Sequence, residues 1–330
     1  MEKIWNWGIL GCGNIANKFS QDLKTLPNAK LYAAASRNLD KAKEFANELG
    51  YEKAYGTYEE MLQDPKLDVV YIASPHSHHL EHTLLCLEHG KAVLCEKAFA
   101  LNSDQAKLMI KTAREKKVFL MEAFWTRFQP GFLEIKRLLE EEKLGAAKMM
   151  RSDFAFNGPY DPANRLYNLD LGGGSLLDIG IYPVFAALQT FGRPEEIRTV
   201  ADFSPTGSEE SIAILFKYSN GKIASLQSSF AVCTDTQSEF WCENGFLKIS
   251  RSGIGSTIVT ISEKDKNVIN KEFEYTGQLG YHLEAKHVME CLDQNLVESP
   301  MLPLSFSSLL METLDRIRVD AGIKFPFEQK

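Results

Sequence analysis

The stretch that most limits what this chain can fold into is Trp7-Gly8-Ile9-Leu10-Gly11-Cys12-Gly13-Asn14-Ile15-Ala16, which turns an apolar strand into a helix through a glycine-lined corner. Gly11 permits the tight turn, Gly13 lets the backbone approach a bound group closely, and Ala16 is small enough for the new helix to pack on its strand. A helix born at such a corner offers N–H groups and the positive end of its dipole, so Gly11, Gly13, Asn14 and Ile15 make a seat for a pyrophosphate. A lone Gly-x-Gly-x-x-Ala also occurs in ordinary turns. Here it comes after an apolar run and precedes a helical pattern in Phe19 and Leu23, so a dinucleotide site is expected.

The rest of the first 125 residues agrees. Residues 30–35, 68–74, 92–95 and 118–125 read as strands, near-continuously apolar as in a parallel sheet. Helical patterns lie between them, one with Leu80, Leu84 and Leu87, another over 103–117 with Asn102 and Gln105 as a capping box. From about 147 strands succeed one another, at 212–218, 222–230 and around a hairpin at Asn244-Gly245, introduced by a helix near Gly174 and closed by helices over 281–292 and 307–321. The expected class is α/β: a Rossmann dinucleotide-binding domain over 1–125, then an α+β domain over 126–330 with an open, mainly antiparallel sheet. The second domain would bind substrate and carry oligomerisation, its last helix packing back on the first. A sheet with helices on one side needs cover on the other, which predicts a homodimer or larger homo-oligomer.

Composition narrows the class further. With 37 Lys plus Arg against 44 Asp plus Glu and a net charge of -7, nucleic acid is not the expected partner. No unbroken apolar run approaches the roughly 18 residues of a membrane span, and Met1-Glu2-Lys3 leads into a strand without a leader-like apolar core, which predicts a cytoplasmic protein. The six cysteines are scattered without a Cys-x-x-Cys pair and read as reduced small hydrophobes.

Where 30–35 ends, an acidic residue would bond the adenosine ribose. Ser36-Arg37 stands there instead, with Lys41 one turn on, a set that accommodates a 2′-phosphate and predicts NADP in preference to NAD. The plainer reading of Arg37 is a solvated loop residue. Ser74, Pro75, His76, Glu96 and Lys97 fall at further strand ends, where ligands of such sheets bind. His76 is placed to touch nicotinamide or substrate. His76, His78, His79 and His82 also raise a metal site, but no accompanying cysteine or carboxylate cluster completes one, and none is expected. In Gly172-Gly173-Gly174-Ser175-Leu176-Leu177-Asp178-Ile179-Gly180-Ile181-Tyr182, Asp178 and Tyr182 share one helix face, an acid and a phenol suited to proton handling. Each also has a plainer reading, Asp178 as a carboxylate of the helix turn and Tyr182 as core. Trp125, Phe154, Phe156 and Tyr160 offer an apolar wall for a ring, with Arg165 and Tyr167 beside the glycines; such aromatics also serve as core.

Taken together, Gly-Cys-Gly-Asn-Ile-Ala, Ser74-Pro75 with His79, Glu96-Lys97 and Gly-Gly-Gly…Asp178…Tyr182 resemble the glucose-fructose oxidoreductase/inositol dehydrogenase/MocA family over essentially the whole chain. Within it, 121–128 and the ending Asp315-Arg316-Ile317-Arg318…Phe325-Pro326 are similar to the branch holding trans-1,2-dihydrobenzene-1,2-diol and NADP-dependent D-xylose dehydrogenases. The resemblance implies hydride transfer between a sugar-like or cyclic-diol alcohol and a nicotinamide. It makes Lys97 the catalytic lysine, Tyr182 the acid/base and Asp178 a substrate-binding aspartate, and adds His79 and Glu96 to the cofactor set. Ala98 departs from the family's usual proline after the lysine.

On that reading Tyr182 takes the hydroxyl proton. Bringing a phenol of pKa about 10 toward neutrality takes roughly 3 to 4 kcal/mol, and an ammonium about 4 Å away at an effective dielectric of about 20 supplies up to roughly 4. The rival from another class is a non-catalytic NADP-binding sensor of the same fold, which has no chemical need of Lys97, Asp178 and Tyr182. A reductase acting on a non-sugar carbonyl would differ only in the pocket.

Overall fold

The computed structural model describes residues 3–275 and 278–329, so Met1 and Glu2 of the opening segment lie outside the described residues. The chain divides into two units: Met1–Trp125 with Thr276–Ser308, and Thr126–Tyr275 with Leu309–Lys330.

The first unit is built on β1 (Trp5–Leu10), α1 (Asn14–Leu23), β2 (Ala29–Ala35), α2 (Leu39–Leu49), β3 (Lys53–Tyr55), α3 (Tyr58–Leu62), β4 (Val69–Ile72), α4 (His79–Glu88), β5 (Ala92–Glu96), α5 (Ser103–Lys116) and β6 (Leu120–Ala123). The strands form one parallel sheet in the order β3-β2-β1-β4-β5-β6. Parallel strands covered on both faces must be apolar throughout, and β4 and β5 are buried at every position. Phe19 of α1 stacks on Tyr71 of β4 at 3.8 Å and meets Trp7 of β1 at 5.6 Å, sealing the helix to the strands beneath it. Asn102 caps α5 through the Gln105 N–H, while the Gln105 side chain reaches Leu101 N–H, one residue short of the reciprocal bond of a capping box.

The second unit contains α6 (Pro130–Glu140), β7 (Ala147–Ala155), α7 (Ile181–Phe191), β8 (Glu196–Phe203), β9 (Glu209–Lys217), β10 (Ile223–Ser229), β11 (Gln237–Cys242), β12 (Gly245–Ser250), β13 (Thr257–Glu263) and β14 (Ile269–Phe273). Its eight strands run β14-β13-β12-β11-β7-β10-β9-β8, antiparallel except where β7 and β10 pair in parallel. Alternation along the strands sorts the faces: Met150, Ile214, Phe216, Ala224 and Leu226 point in, while Val200 and Leu215 on the other face are 77% and 52% exposed. The segment Leu169–Phe191 is long and apolar enough by composition to cross a membrane, yet 94% of its most apolar 18-residue window is buried in the fold, as in a core helix.

Residues 276–308 depart from the expected boundary by returning to the first unit. They carry α8 (Tyr281–Asp293) and the first turn of α9 (Leu304–Ala321). Asp22 on α1 provides the reason. Its buried carboxylate accepts the N–H groups of Leu279, Gly280 and Tyr281 at 2.7–3.0 Å, capping α8 from another helix. The Val297 carbonyl accepts Leu120 N–H at 3.1 Å on the edge strand β6.

Candidate functional site

β1 ends at Gly11, whose φ of 99° lies in the left-handed region. A Cβ there would also stand 3.2 Å from the Ala73 carbonyl of the turn after β4, so only glycine fits. A Cβ on Gly13 would meet nothing within 4 Å, because the loop opens there. Gly13 caps α1 without a side-chain bond, and no acid stands in the first turn. The first amides of α1, from exposed Asn14 and half-buried Ile15 onward, are thus left for an anion. A pyrophosphate fits this cradle. At the end of β2 the half-buried Ser36 hydroxyl accepts Asn38 N–H at 3.3 Å, and Arg37 is exposed with no acid beside it in 35–37.

Half-buried Lys97 comes after β5 in a turn held at three points by buried side chains. Glu96 accepts Lys97 N–H at 3.2 Å, His79 Nδ1 lies 2.8 Å from the Ala98 carbonyl, and Glu122 of β6 accepts Phe99 N–H at 3.2 Å. His79 Nε2 is 2.8 Å from the Ser74 carbonyl, so the imidazole lies between the turn after β4 and the turn after β5 and, when neutral, donates its one N–H to one of the two carbonyls. The Lys97–Ala98 peptide is cis. Burial pushes His79 down to about 4, against the pull of its two carbonyls, and pushes Glu122 up to about 7, against the pull of its hydrogen bonds and the Lys97 charge.

Two of the residues expected at the cofactor have buried side chains. His79 is 0% and Glu96 7% exposed, and Glu96 also accepts the Tyr71 hydroxyl, so both side chains shape the turns. Ser74 and Pro75 remain half-exposed, and buried His76 meets His79 edge to face at 5.6 Å. His82 Nδ1 lies 2.9 Å from the Ser74 hydroxyl. Among the described residues, no group of three or more His, Cys, Asp or Glu side chains is arranged to hold a metal ion. Trp125 is likewise not a free wall: it stacks on Tyr281 at 4.2 Å in the first unit's interior.

In the second unit the glycine run leads into one turn of wide, π-type bonding over Leu176–Gly180, then α7. Asp178 sits in that turn and Tyr182 is the second residue of α7. Asp178 takes both prongs of the Arg165 guanidinium, at 3.0 and 3.3 Å, and Phe154 of β7 lies 5.4 Å from the Tyr182 ring. Arg165 is 54% exposed while Asp178 is 8% exposed, so the pair presents charge at the rim and anchors it below. Phe154 and Phe156 pack on the cluster of Leu166, Tyr167, Ile179 and Phe230, Phe156 meeting Phe230 at 5.2 Å, while exposed Tyr160 meets Tyr167 edge to face at 5.0 Å.

Two further carboxylates carry no signal in the sequence. Glu122 is one; Glu209, at the start of β9, is the other, and it accepts Leu176 N–H at 2.7 Å. The inward phase of β9, set by 212, 214 and 216, assigns the inner face to 210. A register slip between Asp202 and Phe203 turns Glu209 in instead.

Residues 5–124 match an oxidoreductase family with an NAD-binding Rossmann fold, and residues 132–248 match the GFO/IDH/MocA C-terminal domain. The chain is 36% identical over 328 residues to trans-1,2-dihydrobenzene-1,2-diol dehydrogenase of Xenopus tropicalis, covering 97% of this chain and 99% of that one. The Homo sapiens dehydrogenase of the same name is 35% identical over 332 residues, covering 98% and 99%. KijD10, a 3-ketoreductase from Actinomadura kijaniata solved with NADP and TDP-benzene, superposes with a TM-score of 0.87 at 26% identity over 96% of this chain and 98% of that one. The aldose-aldose oxidoreductase of Caulobacter crescentus shares the fold, with a TM-score of 0.88 at 22% identity over 97% and 98%. With a glycine corner built for a dinucleotide and both domains matched, the chain belongs to the Gfo/Idh/MocA family of oxidoreductases.

Proposed function

We propose that this protein is an NADP-dependent dehydrogenase that oxidises a CH–OH group of a sugar-like or cyclic-diol substrate, with Tyr182 as the base and Lys97 as its electrostatic support. The observation that carries the reading is the Asp178–Arg165 pair one turn before Tyr182. A bound nicotinamide supplies the hydride acceptor, and Gly11 to Ile15, Ser36, Arg37, Ser74, Pro75 and His76 are the residues that would hold the dinucleotide. Tyr182 Oη receives the hydroxyl proton. The Lys97 ammonium favours the phenolate that makes Tyr182 a base, and the turn bonds at residues 97, 98 and 99 fix where its stem begins. Asp178, held by Arg165, accepts a substrate hydroxyl and orients the carbon that reacts, while Phe154 offers an apolar face to a ring. A diol substrate is favoured by the name of the 36% identical relative, and NADP by the KijD10 complex together with Ser36-Arg37. The half-apolar outer sheet face supports a homodimer.

The test is NADPH formation by purified protein on aldoses, inositols and trans-dihydrodiols. Tyr182→Phe and Lys97→Met are expected to lower kcat on the active class by about 10²-fold or more, with NADPH affinity retained. Tight NADPH binding without turnover of any alcohol, or of the matching ketones in reverse, would instead favour a sensor.

A further inference from the structure

We propose that Glu209 is a positioning residue of this reaction: its buried carboxylate holds the Leu176–Gly180 turn in place so that Asp178 and Tyr182 meet the substrate. The inference rests on the roles proposed for Tyr182 and Asp178. A turn that begins a helix needs an acceptor for its first amides, and Ser175 provides no side-chain cap here. Glu209 reaches in from β9 to do so, 2% exposed, with its Oε1 on Leu176 N–H at 2.7 Å. Its other oxygen fills the space above Gly174, where a Cβ would stand 2.2 Å away. The third glycine of the run is thereby explained: it makes room for this carboxylate, besides adopting a φ of 132°.

A buried carboxylate whose hydrogen bonds come from amides is poised between charge states. Burial pushes Glu209 up to about 7, while Leu176 N–H, its own N–H and the Arg318 charge pull it down. Arg318 of α9 is the charged group that acts on it, and that guanidinium is shared with Asp315 at 3.0 Å and Glu328 at 2.8 Å. The ionised form grips the amide more tightly than a neutral acid or amide does. The turn beneath the catalytic pair is therefore firmest above neutrality.

The experiment compares the full-length wild type with Glu209→Gln between pH 6 and 8.5. It reads the kcat, KM and NADPH affinity of each protein, using whichever of D-xylose, myo-inositol or trans-1,2-dihydrobenzene-1,2-diol the wild type oxidises. Hydrogen–deuterium exchange of the segment 174–182 is measured beside it, without substrate. Glutamine keeps an oxygen for Leu176 N–H and mimics the protonated acid. The kcat ratio of wild type to variant is expected to be about tenfold at pH 8.5 and to approach one at pH 6, as charge assistance disappears. Exchange protection of the segment should take the same course, with NADPH affinity unchanged. Gly174→Ala, which pushes the carboxylate away, should lower kcat at every pH without weakening NADPH. A ratio that stays near one, or that does not vary with pH, overturns the assignment of Glu209. Tyr182→Phe run alongside separates the two failures: if it retains full turnover, the reading of the catalytic pair falls and takes this inference with it.

Discussion

Glu122→Gln is expected to stabilise the first unit at alkaline pH and to leave it nearly unchanged in acid. Glu122 is fully buried on β6, and burial raises its carboxyl from the ordinary 4.5 to about 7. Below the ordinary value the group is protonated in the folded and unfolded chain alike, so it costs nothing. As pH rises from there, the unfolded chain ionises while the folded chain holds its proton, and stability falls until the folded group also ionises near 7. The whole difference corresponds to roughly 3 kcal/mol. Glutamine has no such penalty and its oxygen can still accept Phe99 N–H, the bond seen at 3.2 Å. Urea unfolding at pH 5 and pH 8.5 reads the effect. Three of the four tryptophans, Trp5, Trp7 and Trp125, lie in the first unit, so fluorescence tracks its transition. The variant should lie within about 1 kcal/mol of wild type at pH 5 and gain about 3 kcal/mol at pH 8.5. A gain no larger at pH 8.5 than at pH 5, or a less stable variant at pH 8.5, would refute the burial argument.

The two surfaces give further expected outcomes. Arg37→Ala should weaken NADPH binding by about ten- to hundredfold, the worth of one charge-assisted bond, and leave NADH binding unchanged; titration of both cofactors decides it, and equal losses exclude a role at the 2′-phosphate. Leu215→Glu on the open sheet face should convert a homodimer to monomer by light scattering, and a monomeric wild type would remove the dimer altogether.

The parallel sheet was legible because each of its longer strands is an apolar run ending in turn residues, and the corner at Gly11–Gly13 leaves little choice but a helix packed back on its strand. Lys53–Tyr55 was not legible, since three residues are too few to display a period. Asp178 and Tyr182 were singled out from a glycine run and a four-residue spacing, both local signals. Glu122 and Glu209 were missed because their meaning is not local: one looks like an ordinary residue in an apolar run, and the other is turned inward by a register slip of its own strand against β8. Glu96 was read at a strand end and His79 entered through the family resemblance, but their burial, which makes them supports of the Lys97 turn, depends on how β4, β5 and β6 lie side by side. The return of 276–308 to the first unit likewise depends on Asp22 finding amides more than two hundred residues away.

That last contact sets an order of events during synthesis. When residues 1–125 have left the ribosome, all six strands of the first sheet exist, yet Asp22 has no amides to accept and Leu120 lacks the carbonyl of Val297. At roughly 5–20 residues per second, the stretch through 308 arrives about ten to forty seconds later. The nascent Rossmann sheet must wait that long with one buried acid unanswered and one edge uncovered, while the whole second sheet is made in between.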